Sequence, residues 1–302
     1  MKLHHFVLSM SLFVALAIVA SCDKGHDMDA LNITHPAAFV VNGTGNNISV
    51  IDLTDDTKVH DIELNGATFP HHIYLSPDKS KVAVAITNTD LSGGHGGHGG
   101  ATSGFKVQII NTVKGVIEKE ISTSKLPHNA VFNPSGTELW IPQSDAPSKV
   151  LVYRTSDWTQ TNEVEVGHLT SEVTFSADGS KVYAANTDEA TVSVIDPTSK
   201  TVSATIAVGT DPVGAWTAEN GKMYVDNETS KSVMEIDVAT DAITATIDLG
   251  FKPGYVAYSD HHAELWVSDA DNGKVVYYKL VGGVWTKEGE VSTGTDAHAI
   301  AF

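Results

Sequence analysis

Pro127-His128-Asn129-Ala130-Val131-Phe132-Asn133-Pro134-Ser135-Gly136, followed by Glu138-Leu139-Trp140-Ile141, is the stretch that decides how this chain folds. Counterparts begin at Pro70, Thr170, Pro212, Pro253 and Ala297, and most run into a turn such as Ser76-Pro77-Asp78 or Ser176-Ala177-Asp178-Gly179. The residue after the first position recurs at spacings of 57, 43, 42, 41 and 44. An insertion of 14 residues, Asp90 to Ser103, accounts for the one long interval. Each unit carries four short runs rich in Val, Ile, Tyr and Thr with period-two alternation, separated by Gly, Asn, Asp and Pro. In the unit that begins at Thr170 these runs predict strands over 172–175, 181–185, 191–196 and 201–208.

A single four-stranded sheet cannot bury both faces, so units of this length stack around an axis. The fold class is therefore all-β, a β-propeller of four-stranded blades, six by repeat count with seven as the alternative. The last unit has one strand only, at His298-Ala299-Ile300-Ala301-Phe302. Its missing partners stand at the other end of the chain, at 38–41, 48–53 and 59–64. The ring is expected to close by pairing these termini, which removes the exposed sheet edges that invite aggregation.

The repeat resembles the YVTN family of bacterial propellers over residues 37–302. Tyr224-Val225-Asp226-Asn227 departs from the name-giving tetrapeptide at one position, and Val182-Tyr183-Ala184-Ala185-Asn186, continuing to Val192-Ser193-Val194-Ile195-Asp196, is a looser match. The resemblance extends to the wider superfamily of cytochrome d1 and nitrous oxide reductase propellers. It implies a fold and leaves function open, because propellers host enzymes, metal sites and docking surfaces alike.

Charge narrows the partners. With 37 acids against 19 bases, the net charge of −18 excludes a phosphate-binding surface, hence nucleic acid. The first 21 residues combine Lys2 with an apolar run too short to span a bilayer comfortably, and they read as a signal peptide. That run ends in Val19-Ala20-Ser21-Cys22, which resembles the bacterial lipobox. The resemblance implies that Cys22, the only cysteine, is lipidated and that the chain meets the membrane through this lipid alone. Residues 22–36 then form a tether and 37–302 the propeller, on the periplasmic or outer side of the bacterial cell envelope.

Histidines mark the candidate site. The loop entering the first strand of a blade and the loop between its second and third strands lie on one face, and the first strand is innermost. The position after the opening proline is His71, His128, Ser171, Val213, Gly254 and His298, so three consecutive blades place histidine at the channel mouth. His72 adjoins the first, His168 precedes Ser171, and the insertion Gly93-Gly94-His95-Gly96-Gly97-His98-Gly99-Gly100 belongs to the same face. Neutral imidazoles from separate rigid elements suit zinc or copper, and a glycine-histidine loop has the backbone freedom to hand over an ion. A structural role as turn or packing residues is the competing reading for each histidine taken singly. Asp145, Asp188, Asp226 and Asp269 are expected to follow second strands and to hold turns.

A His-His pair followed by single histidines resembles the nitrous oxide reductase propeller, which needs more histidines and a copper-binding cysteine domain that this chain lacks. Periplasmic propeller zinc chaperones offer a nearer analogy. No nucleophile elbow, P-loop or dinucleotide fingerprint occurs in its required context, and no catalytic residue is assigned. The expectation is a lipid-anchored propeller that binds a transition metal for storage, sensing or transfer. The alternatives are a scaffold docking a protein or peptide on its histidine face, and a metal-dependent hydrolase or oxidoreductase.

Overall fold

The computed structural model describes residues 30–91, 103–295 and 298–302. The signal peptide, Cys22, His95 and His98 lie outside the described residues. Within them the chain forms 23 strands in six antiparallel sheets, with only two short 3-10 turns as helix. The first blade holds β1 (Ala37–Asn42), β2 (Asn47–Asp52) and β3 (Thr57–Glu63). The second holds β4 (Pro70–Leu75), β5 (Lys81–Ile86), β6 (Lys106–Asn111) and β7 (Ile117–Ser122). In the third are β8 (Val131–Phe132), β9 (Glu138–Gln143), β10 (Lys149–Arg154) and β11 (Thr159–Glu165). The fourth comprises β12 (Thr170–Phe175), β13 (Val182–Asn186), β14 (Thr191–Asp196) and β15 (Thr201–Ala207). The fifth comprises β16 (Pro212–Thr217), β17 (Lys222–Asn227), β18 (Ser232–Asp237) and β19 (Ala242–Asp248). The sixth is β20 (Tyr255–Ser259), β21 (Glu264–Asp269), β22 (Lys274–Val281) and β23 (Val284–Ser292). The strands expected in the unit that begins at Thr170 match β12 to β15 within two residues.

Burial follows position in the blade. Second strands such as β5 and β13 are buried along nearly their whole length, because they are covered on both faces by neighbouring blades. The outermost strands of the first five blades each bury a single apolar residue at one repeated position, Ile62, Ile121, Val164, Ile206 or Ile247, and β23 of the sixth buries none. Between blades the packing also repeats: the Phe175 ring of β12 meets Trp140 of β9 edge-on at 5.5 Å, and Tyr258 of β20 stacks on Tyr224 of β17 at 5.7 Å. Such pairs join large buried area to a favourable ring geometry.

Ring closure uses the same contact. Phe302 occupies the repeat position of Phe175, and its ring meets Trp266 edge-on at 5.9 Å. The C-terminal segment thus lies on the sixth blade where an innermost strand of the first blade belongs. Among the described residues it forms no ladder with β1, so the first sheet has three strands rather than the expected four. β1 accordingly has no fully covered residue, unlike the other second strands.

Three inner strands begin with the same distortion. Pairing slips between Pro70 and Ile73, between Thr170 and Val173, and between Pro212 and Ala215, and each strand is entered through a residue with positive φ: Phe69, Leu169 and Asp211. A bulge of this kind re-aims the two residues inside it. Those residues are His71 and His72 in the second blade, Ser171 and Glu172 in the fourth, and Val213 and Gly214 in the fifth.

Candidate metal centre

The bulge in β4 turns both His71 and His72 toward the axis. In the third blade the ladder covers only Val131 and Phe132, leaving His128 and Asn129 ahead of it. Asn129 takes the place of a strand there: its Nδ2 donates to the Val173 carbonyl at 2.8 Å, and its Oδ1 accepts from the Val173 amide at 3.2 Å. His128 is thereby pinned beside β12 and is fully buried, deeper than a residue at an open channel mouth.

His71, His72 and His128 offer nitrogens that all lie within 4.8 Å of one another. The Nε2 atoms of His71 and His128 are 3.1 Å apart, and the two rings stand edge to face at 4.3 Å. Two imidazoles on one tetrahedral zinc, bound at about 2.0–2.1 Å, hold their nitrogens roughly 3.3–3.4 Å apart. Small ring movements would therefore admit an ion.

Behind the histidines lies Glu172, fully buried on β12. Its Oε1 is 2.6 Å from His128 Nδ1 and 3.1 Å from His72 Nε2, while Oε2 accepts the Tyr74 hydroxyl at 3.3 Å. A carboxylate on the far nitrogen of an imidazole fixes ring orientation and tautomer and leaves the near nitrogen as a lone-pair donor. Burial pushes the Glu172 carboxyl well above the usual carboxylate range, the charge of Asp226 adds to this, and the Tyr74 hydroxyl opposes it. A cation arriving at the histidines would favour the ionised form, with the proton on His128 Nδ1.

The remaining histidines fall elsewhere. His298 lies against Gly254 and lines a pocket of about 360 Å³ together with His71, Thr87, Thr89 and Asp90, which opens the site toward the histidine face. His168 is half-buried, with its Nε2 3.6 Å from Glu189 Oε1, and is not part of the three-histidine group. Asp226 also differs from expectation. It lies inside β17, fully buried, where Oδ1 accepts from the Gly214 amide at 2.9 Å and from Trp216 Nε1 at 2.8 Å. The bulge in β16 opens the backbone amide that holds it there, so it is a lumen residue and no turn holder. Asp269 does hold a turn, accepting both bonds from Asn272 Nδ2.

Glu172 is the residue that the repeat spacing left unassigned. One position further along the aligned units stand His72, Asn129, Glu172, Gly214, Tyr255 and Ala299, a tier that faces the axis. A lone carboxylate between Ser171 and Val173 in that tier was its only signal.

Residues 141–287, the third blade's second strand through most of the sixth blade, match a family model described as Choice-of-anchor I domain. No curated protein matches the chain in sequence. Among solved structures, a Kuenenia stuttgartiensis hydrazine synthase is similar with TM-score 0.66 at 14% identity, over 80% of this chain and 73% of that one. A chain of a mitotic checkpoint complex is similar with TM-score 0.67 at 14% identity, over 97% of this chain and 90% of that one. At this identity the likeness is one of fold alone. The propeller fold that the YVTN resemblance implied is present, and the matching family model is a different one.

Proposed function

We propose that this chain is a cell-envelope propeller that holds a transition metal ion, zinc or copper, on His71, His72 and His128, and that it stores, senses or passes on the ion. The carrying observation is the 3.1 Å approach of two Nε2 atoms with a buried carboxylate behind them. In the absence of an ion this approach is a hydrogen bond between the two rings, which an arriving ion would replace. His298 on the adjoining pocket wall is a further donor, and His95 and His98 of the glycine-histidine segment are the residues we propose to deliver the ion. The match to a choice-of-anchor domain supports a place at the cell envelope, with the lipid on Cys22 as the anchor.

Metal content and affinity of the purified protein test this reading. The parent should bind zinc or copper with one ion per chain at the axis, and His71→Ala with His128→Ala should abolish that site. Equal affinity in parent and double variant would overturn the metal reading in favour of a docking scaffold. Binding should weaken as pH falls through about 6.5, where free imidazole takes up its proton.

A further inference from the structure

The hairpin that joins the third and fourth strands ends differently in the sixth blade. In the first, second, fourth and fifth blades the third strand finishes on Asp52, Asn111, Asp196 or Asp237, whose side chain accepts a turn amide from Thr54, Val113, Thr198 or Thr240. Lys279 stands at this position in the sixth blade, and pairing runs on past it, through Leu280 with Trp285 to Val281 with Val284. Gly282 and Gly283, with φ of 57° and 83°, close the two-residue turn, which needs positive φ at both positions. The residues added at this tip are apolar and face water: Leu280, Val281 and Val284 are 54%, 56% and 65% exposed.

Packing within the blade does not account for such a tip, and three observations say what it meets. First, Leu53 and Val113, in the corresponding hairpins of the first and second blades, are also exposed. Blades six, one and two are consecutive in the ring, and these hairpins lie on the face opposite the histidines. Apolar exposure gathered in one sector marks an interaction surface. Second, the chain enters the described fold in that sector: Leu31 and Ile33 donate their amides to the Lys114 and Val113 carbonyls at 2.9 and 2.7 Å. Cys22 lies eight residues before Ala30, a reach of at most about 28 Å. A lipid on Cys22 therefore brings a bilayer up to this face. Third, the hairpin lacks the charge that would oppose a membrane. Residues 274–287 hold three lysines and no acid in a chain of net charge −18. Lys279 and Lys287 are balanced by Glu264 and Glu290, which stand back from the turn.

We infer that the sixth-blade hairpin inserts Leu280, Val281 and Val284 into a lipid surface, so that the propeller stands on the membrane with its histidine face turned away. Insertion takes these side chains out of water. The ladder already pairs the backbone of the tip, so a shallow insertion strands few polar groups. The orientation rests on the reading of Cys22 as the anchor, whereas the affinity of the tip for lipid does not.

Sedimentation with phosphatidylcholine vesicles tests this on the chain from residue 23 onward, which keeps every described residue and lacks both the apolar leader and the only cysteine. That chain should bind vesicles reversibly, and Val281→Asp with Val284→Asp should bind at least about tenfold more weakly. Both positions are exposed, so the double variant should unfold at the parent's temperature and bind zinc as the parent does. A polarity-sensitive dye attached at Val281→Cys should shift to the blue when vesicles are added. The same dye at Asp188→Cys, exposed on the histidine face, should not shift. No binding by the parent, equal binding by the double variant, or a shift at Asp188→Cys alone would overturn the inference. A dimer that the double variant dissolves, with no affinity for vesicles, would overturn it too and give the tip to a second copy of the chain. None of these measurements involves a lipid on Cys22, so failure of the tip is told apart from failure of the anchor.

Discussion

The two halves of the channel lining use one repeat position in opposite ways. In the second, third and fourth blades, the two residues that enter the inner strand are His71 and His72, His128 and Asn129, and Ser171 and Glu172. In the fifth and sixth they are Val213 and Gly214, and Gly254 and Tyr255. Each half buries one carboxylate. Glu172 is shared by two imidazoles whose other nitrogens can serve a ligand, whereas one oxygen of Asp226 is occupied by the Gly214 amide and the Trp216 indole. The blade framework is the same on both sides. It constrains the residues that pack between blades and leaves the axis-facing tier free to carry chemistry.

The largest effect that could break this contrast is a pH dependence of stability. Burial raises the Asp226 carboxyl to about 7, against the hydrogen bonds from Trp216 and Gly214. The folded chain therefore keeps this proton between about pH 4 and 7 while the unfolded chain releases it. Stability contributed by the group must fall as pH rises through that window, by on the order of 4 kcal/mol. Urea unfolding at both ends of the window should show the decline in the parent and a flatter profile in Asp226→Asn; identical profiles would place the charge elsewhere.

Next in size, exchanging the two carboxylates separates their roles. Glu172→Gln should weaken zinc binding by about 10–100-fold, the usual penalty for losing a group that orients a ligand. Asp226→Asn should leave zinc affinity unchanged, and a comparable loss in both would erase the distinction between the halves.

Gly214→Ala probes the aromatic half by sterics. A Cβ there would stand 2.5 Å from the Trp216 ring, which must then move off Asp226. A loss of about 1–3 kcal/mol in thermal or denaturant unfolding is expected. The smallest effect belongs to His168→Ala, which should change neither stability beyond about 0.5 kcal/mol nor zinc affinity, since its side chain is 43% exposed and lies outside the cluster.

The fold was legible because a propeller writes its period into the core. Trp140, Tyr183, Tyr224 and Trp266 fill equivalent second-strand positions, and turns such as Ser76 to Ser80 and Ser176 to Ser180 repeat the same Asp-centred bonds. His71, His72 and His128 were legible through that alignment. Glu172 and Asp226 were not, because a strand residue faces core or axis according to a bulge that no periodicity announces. His168 misled for a related reason: three residues before the aligned position lies a loop that carries the side chain outward.

The Phe302 contact with Trp266 also says something about how the molecule is made. Phe175 has 8% of its surface exposed and Phe302 has 69%, so the joint is a thin clasp where other interfaces are deep. The Trp140 and Phe175 pair is buried on both sides, whereas the ring of Phe302 stays largely in water and gains least from burial. The seam beside Trp266 is therefore the place where the ring opens first under denaturant, ahead of the deeper interfaces.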